Sequence, residues 1–142
     1  MTNTTTHTTT ATESNTQTAL RFLELVCNAD SGPAVEDVVH PDYVNHHMRL
    51  RGHDGFRELV GRVNTTFADV KQEPLDVIAE KDRVVARTRM TALHVGDFQG
   101  IAPTNRTIEM SQVHIWRIED GRVIEHWPQL DEAGAMRQMG AL

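Results

Sequence analysis

Apolar residues recur at helical spacing early in the chain. Ala19, Phe22, Leu23 and Val26, flanked by Leu20 and Cys27, predict a helix from about Thr16 to Ala29. The Asp30-Ser31-Gly32-Pro33 cluster breaks it, and Pro33 suits the first turn of a short second helix ending near Val39. His40-Pro41-Asp42 then reads as a turn and Tyr43 to His47 as a short extended segment. Asp54 is a good N-cap for a third helix, whose buried stripe is Phe56, Leu59, Val60, Val63 and Phe67. Beyond it the period changes. Pro74–Glu80, Arg83–His94, Thr107–Ile118 and Arg122–Trp127 alternate or run β-branched, with tight connections at Lys81-Asp82 and Glu119-Asp120-Gly121. Val95 to Arg106 holds Gly96, Gly100, Pro103 and Asn105 and predicts a longer connection. A short helix closes the chain over Asp131–Met139. Helices segregated from an antiparallel meander predict an α+β fold. Such a sheet, curved and closed by N-terminal helices, makes a cone with an interior cavity, although periodicity alone does not show the curvature.

Residues 1–15 are dominated by threonine and nearly free of apolar side chains, so they predict a disordered tail ahead of one domain at 16–142. A chain of 142 residues is long enough for one sizeable core. The net charge of -6 argues against a broad electrostatic claim on nucleic acid or an anionic membrane. No run approaches the roughly 18 apolar residues of a membrane span. The N-terminus lacks a basic region followed by an apolar stretch, so no secretory signal is expected. With one cysteine, Cys27, an intramolecular disulfide is excluded, and the expectation is a cytoplasmic protein. Its place beside the first apolar stripe reads as small core residue rather than nucleophile.

Chemistry then turns on the eight histidines. His46, His47 and His53 share a segment with Arg49 and Arg51; without a nearby cysteine they argue only weakly for a metal, so no metal site is expected. They suit a pocket mouth better, with His46 or His47 turned inward and Arg49 or Arg51 meeting a carboxylate or carbonyl. Arg83, Arg87, Arg89 and Arg117 read as a solvated outer sheet face. Alternation puts Met110, Gln112, His114 and Trp116 on one face of a strand, the pattern of a mostly apolar pocket with a few polar groups, or else of an outer face. There is no Gly-rich phosphate loop, Cys-x-x-Cys or Gly-x-Ser-x-Gly, so no cofactor is expected.

Several segments, taken in order, carry a resemblance. They are His40-Pro41-Asp42-Tyr43-Val44-Asn45, Gly100 to Arg106, Gln112 to Trp127, and Met136-Arg137-Gln138-Met139-Gly140. Together, over nearly all of 18–140, the chain resembles the SnoaL-like polyketide cyclase family. The resemblance implies the cone-shaped α+β barrel of the nuclear transport factor 2-like superfamily, which also contains isomerases, hydroxylases and binding modules. It implies cofactor-free ring closure of a hydrophobic, carbonyl-rich small molecule, and a homodimer or homotetramer.

By that resemblance Gln112 and His114 match the family's pocket-facing polar pair, and Asn45 its pocket asparagine, although a structural turn asparagine reads equally well. Tyr43, His46, Trp116, Trp127 and Met110 are further candidates for substrate contact. The family's catalytic Asp falls, counted from the Asp-Gly turn, on Pro128, which cannot carry a proton. Shifted by two residues, His126 takes that place on the same strand face. His126 and His114 are therefore the candidate acid/base pair, His126 being alternatively an ordinary half-buried histidine. Asp131 matches a different family Asp and reads as a helix cap. The missing Asp leaves other readings open: a cyclisation other than aldol closure, such as opening of an epoxide by an internal hydroxyl, a cofactor-independent polyketide hydroxylase, and a binding module without catalysis.

Overall fold

The computed structural model describes residues 10–30, 32 and 34–142. Helix α1 runs over Ala11–Cys27, α2 over Val35–Val38 and α3 over Gly52–Thr66; strands are β1 (Val39–Asn45), β2 (Leu50–Arg51), β3 (Phe67–Glu80), β4 (Arg83–His94), β5 (Thr107–Glu119) and β6 (Arg122–Leu130), with α4 at Glu132–Gln138. The strands form one open sheet in the order β2-β1-β6-β5-β4-β3, antiparallel except for the β1–β6 pair. The α+β expectation therefore holds. Bulges bend the sheet: register slips between Ala68 and Lys71 and between Pro74 and Asp76 in β3, and between Arg117 and Ile118 in β5. Asp69, at the first slip, takes φ 51°. No helix among the described residues is long and apolar enough to cross a membrane.

Helix α1 begins five residues before the expected Thr16. The Thr10 hydroxyl accepts the Glu13 amide N–H (3.1 Å), and the Thr16 and Thr18 hydroxyls donate to the carbonyls of Thr12 (2.9 Å) and Ser14 (3.1 Å). Threonine is thus accommodated by capping and back-bonding, and Asn15 Nδ2 ties the helix to the Lys81 carbonyl (3.2 Å). Residues 11–15 belong to the helix and not to a tail; 1–9 lie outside the described residues. Asp54 is not the cap of α3. The helix opens at Gly52 straight out of β2, no side chain caps it, and Asp54 sits in its exposed first turn.

His40-Pro41-Asp42 lies within β1 and not in a turn, while His46 and His47 fall in the turn after it. Phe67 is the first residue of β3 rather than the last of the α3 stripe. Strand β3 is a sheet edge and needs only one partner, so its polar residues Lys71, Gln72 and Glu73 pair with β4 despite their weak strand signal. Strand β6 runs through Pro128 to Leu130. The β1–β6 pairing ends at Asn45–His126, so Pro128 lies where β6 has no partner on that side, a position that tolerates a residue without N–H.

Helices α1 and α3 cover the concave face. One buried cluster forms around Phe22, Tyr43, Phe56 and Trp116 beneath them; a second surrounds Phe67, Met90, Ile108 and Met110 toward α4. A band of polar residues separates the two, and the candidate chemistry lies there.

Candidate active site

Strand parity places Met90 and Thr88 of β4, Met110, Gln112, His114 and Trp116 of β5, and His126 of β6 on the inner face, all buried. Cross-strand register stacks them: Thr88 beside Gln112, Ala86 beside His114, His114 beside Pro128, and Trp116 beside His126. The histidines are stacked as well as bonded, with ring centroids 5.1 Å apart, and both lie against Trp116.

A directed chain of hydrogen bonds runs through the band. Gln72 Nε2 donates to Gln112 Oε1 (2.8 Å), and His114 Nε2 lies 2.8 Å from the same oxygen. An amide oxygen cannot donate, so His114 carries its proton on Nε2 and its Nδ1 accepts. His126 Nε2, 2.9 Å from that Nδ1, must then donate. This leaves His126 Nδ1 bare, buried and without a hydrogen-bond partner. Beyond Gln112, its amide N–H groups face only the sulfurs of Met90 (3.2 Å) and Met110 (3.4 Å), which are weak acceptors.

Both histidines are neutral near pH 7. Desolvation lowers His114 to about 4; desolvation, reinforced by the neighbouring His114, holds His126 well below the ordinary imidazole range. The unfolded chain takes up protons near pH 6.5 while the folded chain does not. Stability is therefore full above about pH 6.5 and falls as pH drops toward 4, by up to about 1.4 kcal/mol per pH unit for each histidine. Urea unfolding at pH 7, 6 and 5 should show this decline, and a flat response between 7 and 5 would count against neutral burial.

A cavity of about 610 Å³ opens beside the band, between α3, the β4–β5 connection and the start of α4. Met48, Val63, Phe67, Phe98 and Leu130 make its walls apolar, and Met90, Met110 and Gln112 contribute from the sheet. Gly96 holds the connection against the end of α3 so closely that a Cβ there would overlap the Thr65 carbonyl. The cavity thus meets three of the expected residues directly, Gln112, Met110 and, of the pair His46 and His47, His47.

The other expected residues do not line this cavity. His114 and His126 are not among the residues lining the cavity; they stand behind Gln112, only 4% and 3% exposed. Trp116 and Tyr43 belong to the core under α1, where Phe22 packs against both. Trp127 is one residue from His126 and so faces the opposite side, with the Arg83 guanidinium 5.0 Å above it. His46 turns outward too, stacking on Trp127 at 4.9 Å and bonding Glu125 (2.9 Å). Asn45 Oδ1 accepts the amide N–H groups of His47 (3.0 Å) and Met48 (2.9 Å), which makes it the brace of the β1–β2 turn. Arg49 and Arg51 are exposed and do not line the cavity. On the outer face, Arg87 and Arg89 pair with Asp76 (2.7 Å) and Glu73 (3.0 Å) of β3.

The remaining candidates are placed without joining the cavity. His53 hydrogen-bonds the Val39 carbonyl (2.7 Å), and burial pushes the Cys27 thiol up to about 11, making it a poor nucleophile. Asp131 caps α4 by accepting from the Gly134 amide N–H (2.9 Å). His40, Glu119 and Asp120 bring ligand atoms within 4.8 Å of one another away from the cavity, with both carboxylates exposed. Gln72 was not singled out in the sequence; extending β3 back to Phe67 would have put it on the inner face beside Val70.

The fold and the polar band define the class, and the relatives agree. The chain belongs to the SnoaL-like polyketide cyclase family, whose model matches residues 17–139. It is 35% identical over 113 residues to the nogalonic acid methyl ester cyclase of Streptomyces nogalater, covering 75% of this chain and 83% of that one. It is 33% identical over 129 residues to the aklanonic acid methyl ester cyclase AcmA of Streptomyces galilaeus, covering 86% and 88%. Among solved structures, TsrD from Streptomyces laurentii matches with a TM-score of 0.80 at 28% identity, over 91% of this chain and 97% of that one.

Proposed function

We propose that this protein is a cofactor-free cyclase of a hydrophobic polyketide methyl ester, closing a ring by intramolecular aldol addition. The observation that carries the reading is the amide of Gln112. Its oxygen is held by two donors, Gln72 and His114, so the group cannot turn over. Its N–H groups are thereby held among sulfurs in an apolar cavity, where a carbonyl oxygen is a far better acceptor. A fixed donor in a water-poor site stabilises charge that develops on an enolate oxygen. On this reading His114 and His126 are positioning residues: the bond from His126 fixes the tautomer of His114, and His114 fixes Gln112. The apolar walls hold the flexible chain folded on itself, which removes much of the entropic barrier to ring closure.

A homodimer in the cytoplasm is part of the proposal. Ile78, Val85, Ile115 and Trp127 are paired in one apolar row across the outer face of β3 to β6, with Ile78 66% exposed. Such a row suits a second copy of the sheet.

The test is incubation with aklanonic acid methyl ester and nogalonic acid methyl ester in parallel under air and under strict anaerobiosis. The expected product is a ring-closed isomer of unchanged mass. An oxygen-dependent product one oxygen atom heavier would replace the cyclase with a hydroxylase, and binding without conversion would leave a binding module. Sedimentation of the same sample as a monomer would remove the dimer.

A further inference from the structure

Ring closure by aldol addition needs a group that takes a proton from carbon and returns it to oxygen. Gln112 cannot do so, because an amide does not titrate in this range. Both nitrogens of His114 are engaged, and the free nitrogen of His126 is fully buried in a ring that lies 4.9 Å from that of Phe22. Pro128 carries no proton. The shuttle must come from the titratable side chains that line the cavity: His47, Glu58, Arg62, Asp97 and Glu132. Arg62 and Glu58 are paired with each other (3.0 Å), and Asp97 accepts the Gly100 amide N–H (3.1 Å).

His47 and Glu132 are the imidazole and carboxylate in this set that are bonded to each other. His47 Nε2 lies 3.1 Å from Glu132 Oε1, and Gln99 Nε2 donates to Glu132 Oε2. Three separate parts of the chain thus meet at one carboxylate: the β1–β2 turn, the β4–β5 connection and the first residue of α4. With both oxygens taken by donors, Glu132 is held in place and receives the Nε2–H of His47. With a proton on Nε2 committed to Glu132, Nδ1 is the nitrogen left to accept one, as a general base requires. Asn45 fixes the backbone beneath it by accepting the His47 amide N–H. The His47 side chain is 42% exposed, so a ligand can reach it, unlike either buried histidine.

We infer that His47 is the proton shuttle of the ring closure, oriented by Glu132 and Gln99; this rests on the cyclase reading above. His47 Nδ1 removes the proton from a carbon flanked by two carbonyls. The C–H electron pair passes into the enolate, whose oxygen accepts the Gln112 N–H. The enolate carbon attacks the ketone carbon, forming the C–C bond, and the carbonyl π pair moves onto the ketone oxygen. That alkoxide takes the proton back from Nδ1. The product is an isomer of the substrate, and no oxidant, reductant or net proton is needed.

Proton abstraction can be measured apart from ring closure. Aklanonic acid methyl ester, and an analogue whose electrophilic ketone is reduced to an alcohol, are incubated with enzyme in D2O, and deuterium uptake at the activated carbon is followed by mass spectrometry. The wild type should accelerate uptake into both. His47→Ala and His47→Gln should lower that acceleration on the order of 100-fold or more, the usual weight of a general base. Added imidazole should restore exchange to His47→Ala, and Glu132→Gln should give a partial loss. No acceleration by the wild type, full exchange in the folded His47 variants, or failure of imidazole to rescue would each overturn the assignment. Exchange that depends on His47 but yields no cyclised ester would sink the cyclase reading and leave His47 as the base.

Discussion

Replacing Trp116 with alanine is expected to destabilise the fold by about 3–5 kcal/mol, the range for removing a large buried aromatic side chain. Trp116 is fully buried and stands where the two halves of the interior meet. It stacks on His114 at 5.2 Å and on His126 at 5.6 Å, and Phe22 of α1 meets its edge at 6.1 Å. Truncation therefore removes more than transfer energy. It leaves a void that the rigid sheet cannot close, and it frees the two imidazoles from the ring that holds their plane. Urea unfolding followed by circular dichroism measures the loss, and a drop under about 1 kcal/mol would mean that the sheet collapses around the void. Trp127→Ala, on the outer face beside Arg83, is the comparison and should cost much less.

Gln112→Leu should lower turnover of the methyl ester by about 100- to 1,000-fold, the usual effect of removing one donor to a developing oxyanion. Leucine keeps the approximate volume but removes both functions of the amide. The cavity loses its N–H donor, and the Nε2–H groups of Gln72 and His114 lose their acceptor. The second effect should also reduce stability by about 1–3 kcal/mol, as buried donors are left unsatisfied. Gln72→Leu separates the two functions. It leaves the Gln112 N–H in place but removes one of the two bonds that hold it, so turnover should fall by less than in Gln112→Leu. Kinetics and urea midpoints on the same samples decide the matter. Equal turnover in Gln112→Leu and the wild type would exclude an oxyanion role for Gln112.

Much of the fold was legible because the relevant physics is local. The limits of β4, Arg83–His94, follow from alternation alone. The inward direction of Gln112, His114 and His126 follows from the two-residue period of a strand together with the family pattern. Errors arose where a neighbour overrides local preference. Polar residues 71–73 form a strand because β4 supplies their partners, and Thr10 lets a threonine-rich segment begin a helix. Pro128 continues β6 because β1 has already ended beside it.

Alternation by itself thus determined that Met110, Gln112, His114 and Trp116 share one face of a strand, and the family resemblance pointed that face, with His126, inward. Tertiary structure alone decided depth. It put the two histidines behind the amide, out of reach of the cavity, and turned His46 outward while His47 turned in. It also brought His47 to Glu132, a residue 85 positions away with no sequence pattern that links them. Periodicity reports the direction of a side chain relative to its own backbone. How far that side chain lies from a cavity depends on the bend of the sheet and the docking of α4, which arise from contacts between distant segments.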